Sequence, residues 1–89
     1  MTLRLTFLPT AEADFEAIYD FIAQDSPGAA LAFVEDIRRR CEPLADFPRM
    51  GQSHNGRTFR IAFDRKVRVI YRISRSAVLV ARVQYLGQQ

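Results

Sequence analysis

The chain has 89 residues, 48% of them hydrophobic and 26% charged, with a formal net charge of +3. This size predicts one domain, residues 1–89, burying about 60–65% of the surface its unfolded form exposes, with little room for a large enclosed cofactor. No run approaches the ~18 apolar residues of a membrane span and the N-terminus lacks a signal-type apolar core, while Cys41 and His54, each the sole residue of its type, leave no disulfide framework and no metal set, so a cytoplasmic protein without cofactor, metal or membrane contact is expected.

Thr2 to Phe7 alternates strictly, with Leu3, Leu5 and Phe7 on one side and Thr2, Arg4 and Thr6 on the other, as in a half-buried strand. Pro9 and Thr10 break it, and Thr10 is the expected N-cap of a helix. Ala11, Phe15, Ile18 and Ile22 then recur at spacings of four, three and four, widened by Tyr19; the polar face holds Glu12, Asp14, Glu16 and Asp20. Asp25-Ser26-Pro27 ends this helix and opens another, with Ser26 as cap and Pro27 in the first turn. Ala30, Val34, Ile37, Cys41 and Leu44 form its apolar stripe, Arg38–Arg40 suit its C-terminal dipole, and Pro43 ends or kinks it. The short link between the helices predicts an antiparallel hairpin.

Phe47 to Gly56 reads as a loop. Three strand-like runs follow, Thr58–Phe63, Val67–Ile73 and Ala77–Val83, separated by three residues each. Separators so short require antiparallel neighbours. The expected fold is α+β in the order β-α-α-β-β-β: a three-strand meander and the N-terminal strand share one sheet, and the helical hairpin packs on one face.

Charge is unevenly divided. Residues 1–50 carry nine acidic and five basic side chains; residues 51–89 carry eight basic ones and only Asp64. Alternation places Phe59, Ile61 and Phe63, then Val67, Val69, Tyr71 and Ile73, toward the helices. Arg60, Arg68 and Arg72 fall on the reverse face, and unbroken alternation adds Arg82 on the side of Val78 and Val80. Four arginines without a carboxylate among them make a positive field suited to phosphates or an acidic peptide, although arginine stems also cover ordinary solvated sheets. Phe21, Leu31 and Phe33 lie off the helix stripes and suggest a partner-binding groove. Cys41 reads as a small core residue, His54 as an exposed loop histidine, and Tyr85 as either an orienting phenol or the rim of the core.

Several stretches together resemble the ParE branch of the RelE/ParE toxins of type II toxin–antitoxin pairs. They are Leu8-Pro9-Thr10-Ala11-Glu12-Ala13-Asp14-Phe15 with Ile18 and Ile22, Cys41-Glu42-Pro43-Leu44, Phe47-Pro48-Arg49-Met50-Gly51, Val67-Arg68-Val69-Ile70-Tyr71-Arg72, and Arg82-Val83. The resemblance implies a toxin neutralised by a cognate ParD-like antitoxin in a hetero-oligomer, with the antitoxin along the hairpin and a sheet edge. It implies DNA gyrase as the target and no chemistry of the toxin's own. The RelE branch implies ribosome-dependent cleavage of mRNA instead. For that alternative the resemblance offers Arg60, Arg68 and Arg82 as phosphate clamps and Tyr85 as the orienting group. Ala62 stands where ribonuclease members often carry a second basic residue, and Tyr85 where ParE-like proteins often carry histidine. A third reading is an inactive toxin fold kept as a co-repressor with its antitoxin. In each reading Arg60, Arg68, Arg72, Arg82, Phe21, Leu31 and Phe33 are the expected binding residues.

Overall fold

The alternating N-terminal residues form β1 (Arg4–Phe7), and the two apolar stripes form α1 (Pro9–Ala23) and α2 (Pro27–Cys41). β2 (Gln52–Ser53), β3 (Thr58–Phe63), β4 (Val67–Ile73) and β5 (Ala77–Tyr85) follow a short 3-10 turn over Glu42–Ala45. The computed structural model describes residues 2–87. The five strands form one mixed sheet in the order β1-β5-β4-β3-β2. β1 runs parallel to β5, to which it is connected through both helices and the three intervening strands; the other pairs are antiparallel.

Local chemistry explains most element boundaries. Ser26 caps α2 as expected, its Oγ accepting from the Ala29 N–H at 3.2 Å. Thr10 does not cap α1. The helix starts at Pro9, two residues earlier than a Thr10 cap implies; the fixed φ of Pro9 suits a first turn, and extended Leu8 occupies the cap position without a side-chain bond. Pro43 stops regular helix by converting the chain to the 3-10 turn. The expected loop 47–56 contains the two-residue β2, too short to show any periodicity.

The core joins Ala11, Phe15 and Ile18 of α1 with Ile37 and Cys41 of α2, Leu44, and the helix-facing residues of β3, β4 and β5. Cys41 is fully buried, and loss of hydration pushes its thiol up to about 12, against a smaller opposing pull from Arg38. It is therefore an inert packing residue near neutral pH. Arg38 lies over the rings of Phe7 and Phe15, 5.0 and 4.3 Å from their centroids, and pairs with Glu12 across the helices. Arg40 covers Phe63 and reaches Asp64 in the β3–β4 turn.

β5 departs from simple alternation. Ile70 of β4 faces Arg82, but the next residue, Tyr71, faces Val80, which leaves Ala81 as an extra residue. This bulge reverses the parity of the strand. Val78 and Val80 face the helices and are fully buried, so Arg82 does not share their side. Beyond the bulge Val83 and Tyr85 take the helix side instead, opposite buried Val69 and Val67. The sequence-based alternation fails at Arg82 because one inserted residue moves every later side chain to the other face.

The β3–β4 turn places both Asp64 and Arg65 at positive φ, 55° and 58°. Asp tolerates this region, but the Arg65 side chain crowds its own backbone, at a cost of about 1–2 kcal/mol. Arg65→Gly is expected to raise stability by roughly 1 kcal/mol, partly offset by the entropy of glycine in the unfolded chain. A rise in the urea midpoint at unchanged slope checks it.

Candidate target-binding and partner-binding surfaces

The reverse face of the sheet follows from register. Ala62, Arg68 and Gln84 form one row across β3, β4 and β5; Arg60, Ile70 and Arg82 form the next; Thr58, Arg72 and Leu79 the third. Arg60 and Arg68 together border two shallow depressions. One, of about 240 Å³, is lined by His54, Thr58, Arg60, Arg68, Ile70 and Gln84; the other is lined by Gln52, Arg60, Ile61, Ala62 and Arg68. Arg68 Nη1 sits 3.5 Å from Gln84 Oε1, its only side-chain hydrogen bond among the described residues. Arg72 borders a neighbouring depression with Arg57 and Leu79. Among the described residues no carboxylate lies within ion-pairing distance of Arg60, Arg68 or Arg72.

Arg82 has a different situation. Its register is that of the reverse face, but its guanidinium turns over the free edge of β5 to α1, with Nε 2.8 Å and Nη2 3.1 Å from the two carboxylate oxygens of Asp14. Asp14 also accepts the Val83 N–H at 2.8 Å, and Thr10 Oγ1 donates to the Ala81 carbonyl at 2.6 Å. β1 ends opposite Val80, so these two helix side chains satisfy the part of the β5 edge that β1 leaves uncovered. Burial alone would raise the Asp14 carboxyl, but the bonds from Arg82 and Val83 and the arginine charge outweigh it and hold it below the ordinary range. Of the four arginines expected together, the structure gathers Arg60 and Arg68, sets Arg72 beside them and binds Arg82 elsewhere.

Tyr85 is on the helix side. Its ring meets Phe33 and Phe21 edge-on, with centroids 5.3 and 6.0 Å away. It therefore stands across the sheet from Arg60 and Arg68. Phe21, 39% exposed, and the partly buried Phe33 and Tyr85 compose an apolar patch on the hairpin, whereas Leu31, 53% exposed, stands two residues before Phe33 on α2 and so on another side of that helix. His54 enters the reverse-face depression because β2 pairs with β3: its N–H donates to the Thr58 carbonyl at 2.8 Å. No sequence pattern signals that placement.

Residues 5–88 match the family model described as the ParE toxin of the type II toxin–antitoxin system, parDE. The fold is similar to a chain of the chromosomal ParDE system from P. aeruginosa, 23% identical, with a TM-score of 0.82 over 96% of this chain and 97% of that one. It is also similar to a chain of the RelBE2 toxin–antitoxin complex from Mycobacterium tuberculosis, 22% identical, with a TM-score of 0.64 over 96% and 99%. No curated protein matches. Among the described residues no helix is long and apolar enough to cross a membrane. With nearly its whole length matched in order, the chain belongs to the ParE toxin family of type II toxin–antitoxin systems.

Proposed function

We propose that this chain acts by binding and poisoning DNA gyrase, and that a ParD-like antitoxin holds it inactive in a hetero-oligomer. The observation that carries a binding reading over a ribonuclease one is the separation of the side chains such a nuclease would use. Tyr85 packs with Phe21 and Phe33 on the helix side, Arg82 is engaged by Asp14, and only Arg60 and Arg68 remain together on the reverse. Cleavage by a 2′-hydroxyl needs proton-transfer and cationic groups around one phosphate. The patch of Phe21, Phe33 and Tyr85, with exposed Leu31 elsewhere on α2, supports the antitoxin assignment, since an amphipathic segment laid on the hairpin would cover apolar surface there.

One observation favours the alternative of ribosome-dependent mRNA cleavage: His54 lines the depression that holds Arg60 and Arg68. An imidazole is the commonest general acid–base group, so it could replace Tyr85 in that role. Plasmid supercoiling by gyrase separates the readings. Inhibition by the purified chain, relieved by the antitoxin, is the expected result, with transcripts left intact after induction. Unchanged supercoiling at high molar excess rejects the gyrase target. Transcript cuts that vanish in His54→Ala establish the nuclease instead.

A further inference from the structure

The reverse face differs in kind from the other exposed surfaces. Arg60 faces Ile70, Arg68 lies two residues before Ile70 on β4, and Arg72 two residues after it. Each step, Arg68 to Arg60 and Arg60 to Arg72, is thus a diagonal neighbour contact across the β3–β4 pair, about 7–8 Å between backbones. Arg57 extends the row beside Arg72. This spacing is comparable with the separation of successive phosphates along a nucleic-acid strand. Among the described residues none of Arg60, Arg68 and Arg72 is neutralised by a carboxylate.

What the face lacks points the same way. The large exposed apolar side chains, Phe21, Leu31, Phe47 and Met50, belong to α1, α2 and the loop after the 3-10 turn. Protein interfaces depend on such anchors at their centre, and here the centre is Ile70 flanked by guanidiniums. The depressions are shallow, and the one ring lining the two that share Arg60 and Arg68 is the His54 imidazole; no Phe, Tyr or Trp lines either. A single imidazole makes no platform for stacking successive bases, so contacts of the arginines to sugar and phosphate dominate.

We infer that the reverse face binds the phosphate backbone of a nucleic acid without reading its sequence, through Arg68, Arg60 and Arg72 in a zigzag across β4 and β3. The inference deepens the proposed function and rests on it for its biological setting: gyrase holds duplex DNA, so a toxin seated on the enzyme by its other surfaces would present this row to DNA. Guanidinium suits the role because its donor fork matches phosphate oxygens.

The test is fluorescence anisotropy of the purified full chain with a labelled duplex DNA, across a salt series and without gyrase. The logarithm of affinity should fall linearly with the logarithm of salt, with a slope of about −0.9 per phosphate engaged, so near −3 for three arginines. Arg60→Ala, Arg68→Ala and Arg72→Ala should each weaken binding and flatten the slope by about one unit, equally for unrelated sequences. Arg39→Ala, on the exposed side of α2, should change nothing, and circular dichroism of each variant checks that it is folded. Absence of binding at 50 mM salt overturns the inference, as does an equal loss from Arg39→Ala. Displacement by a polyglutamate peptide as effective as by DNA would assign the face to an acidic protein and also overturn it. DNA binding that obeys the pattern while gyrase supercoiling is untouched keeps the backbone site and removes the gyrase target; inhibition of gyrase with no DNA binding does the reverse.

Discussion

Replacing Tyr71 with phenylalanine should destabilise the fold by about 1–3 kcal/mol, because two backbone groups lose their partner at once. The Tyr71 hydroxyl donates to the Pro48 carbonyl at 2.7 Å and accepts the Gly51 N–H at 3.0 Å. The residue is fully buried, with its ring stacked on Phe59 at 5.5 Å, and burial raises its phenol against the smaller effect of the Gly51 bond. These bonds tie the 47–51 loop to the sheet just before β2 starts. For a domain of this size each kcal/mol lowers the melting temperature by about 4–8 °C.

Gly51→Ala attacks the same joint from the other side. A Cβ there would lie 2.5 Å from the Tyr71 hydroxyl and 2.8 Å from the Arg60 carbonyl. Both the loop and β2 must shift, at a cost of roughly 1–3 kcal/mol. The double variant Gly51→Ala/Tyr71→Phe should cost less than the two singles added, since removing the hydroxyl relieves the closest clash and leaves those with the Arg60 carbonyl and, at 3.1 Å, the ring Cε1 of residue 71. Full additivity in urea unfolding would show that hydroxyl and glycine are not one unit. The joint also shapes the proposed backbone-binding face, because β2 and the residue after it place Gln52 and His54 beside Arg60. Anisotropy with DNA should therefore weaken in Gly51→Ala although no arginine is altered.

The elements with strong periodicity were legible in the residues: both helix stripes, the alternation of β1, β3 and β4, and Ser26 as a cap. Their register, the parallel pairing of β1 with β5 and the two-residue β2 were not, because pairing partners leave no local signal. Arg60, Arg68 and Arg72 reach the reverse face because β3 and β4 run unbroken. Arg82 has reverse-face register too, but only because the bulge at Ala81 takes it off the side of Val78 and Val80, and its guanidinium still leaves that face because Asp14 supplies a nearer partner. In the sequence Asp14 is one of four acids on the polar face of the first helix. Nothing in its spacing marks it as the acceptor for Val83, 69 residues away. Thr10 misled for a related reason: its hydroxyl serves a distant strand edge rather than its own helix.

Asp14 carries the second large effect. It is 17% exposed at the side chain and holds both Arg82 and the Val83 N–H, so Asp14→Ala orphans a strand amide and releases a charged partner. A bond to a charged group contributes about 1.5–3 kcal/mol, and Arg82 is 53% exposed, which screens its share and places the expected loss nearer 2 kcal/mol. Asp14→Asn retains an acceptor for Val83 but removes the charge, so it should cost less. The pH dependence separates the two contributions. The Asp14 carboxyl is held below its ordinary value of 3.8, so its stabilisation is fully present above that value and is lost as pH falls through the lower folded-state value. Glu12, lowered chiefly by its hydrogen bonds from Arg38, adds to the same acid limb. Wild type should therefore lose stability steadily as pH drops below about 4. Asp14→Asn should start lower at neutral pH and fall less steeply, with the two curves converging in acid. Parallel curves over that range would mean that the carboxylate charge adds nothing and that Asp14 acts only as a neutral acceptor for the β5 edge.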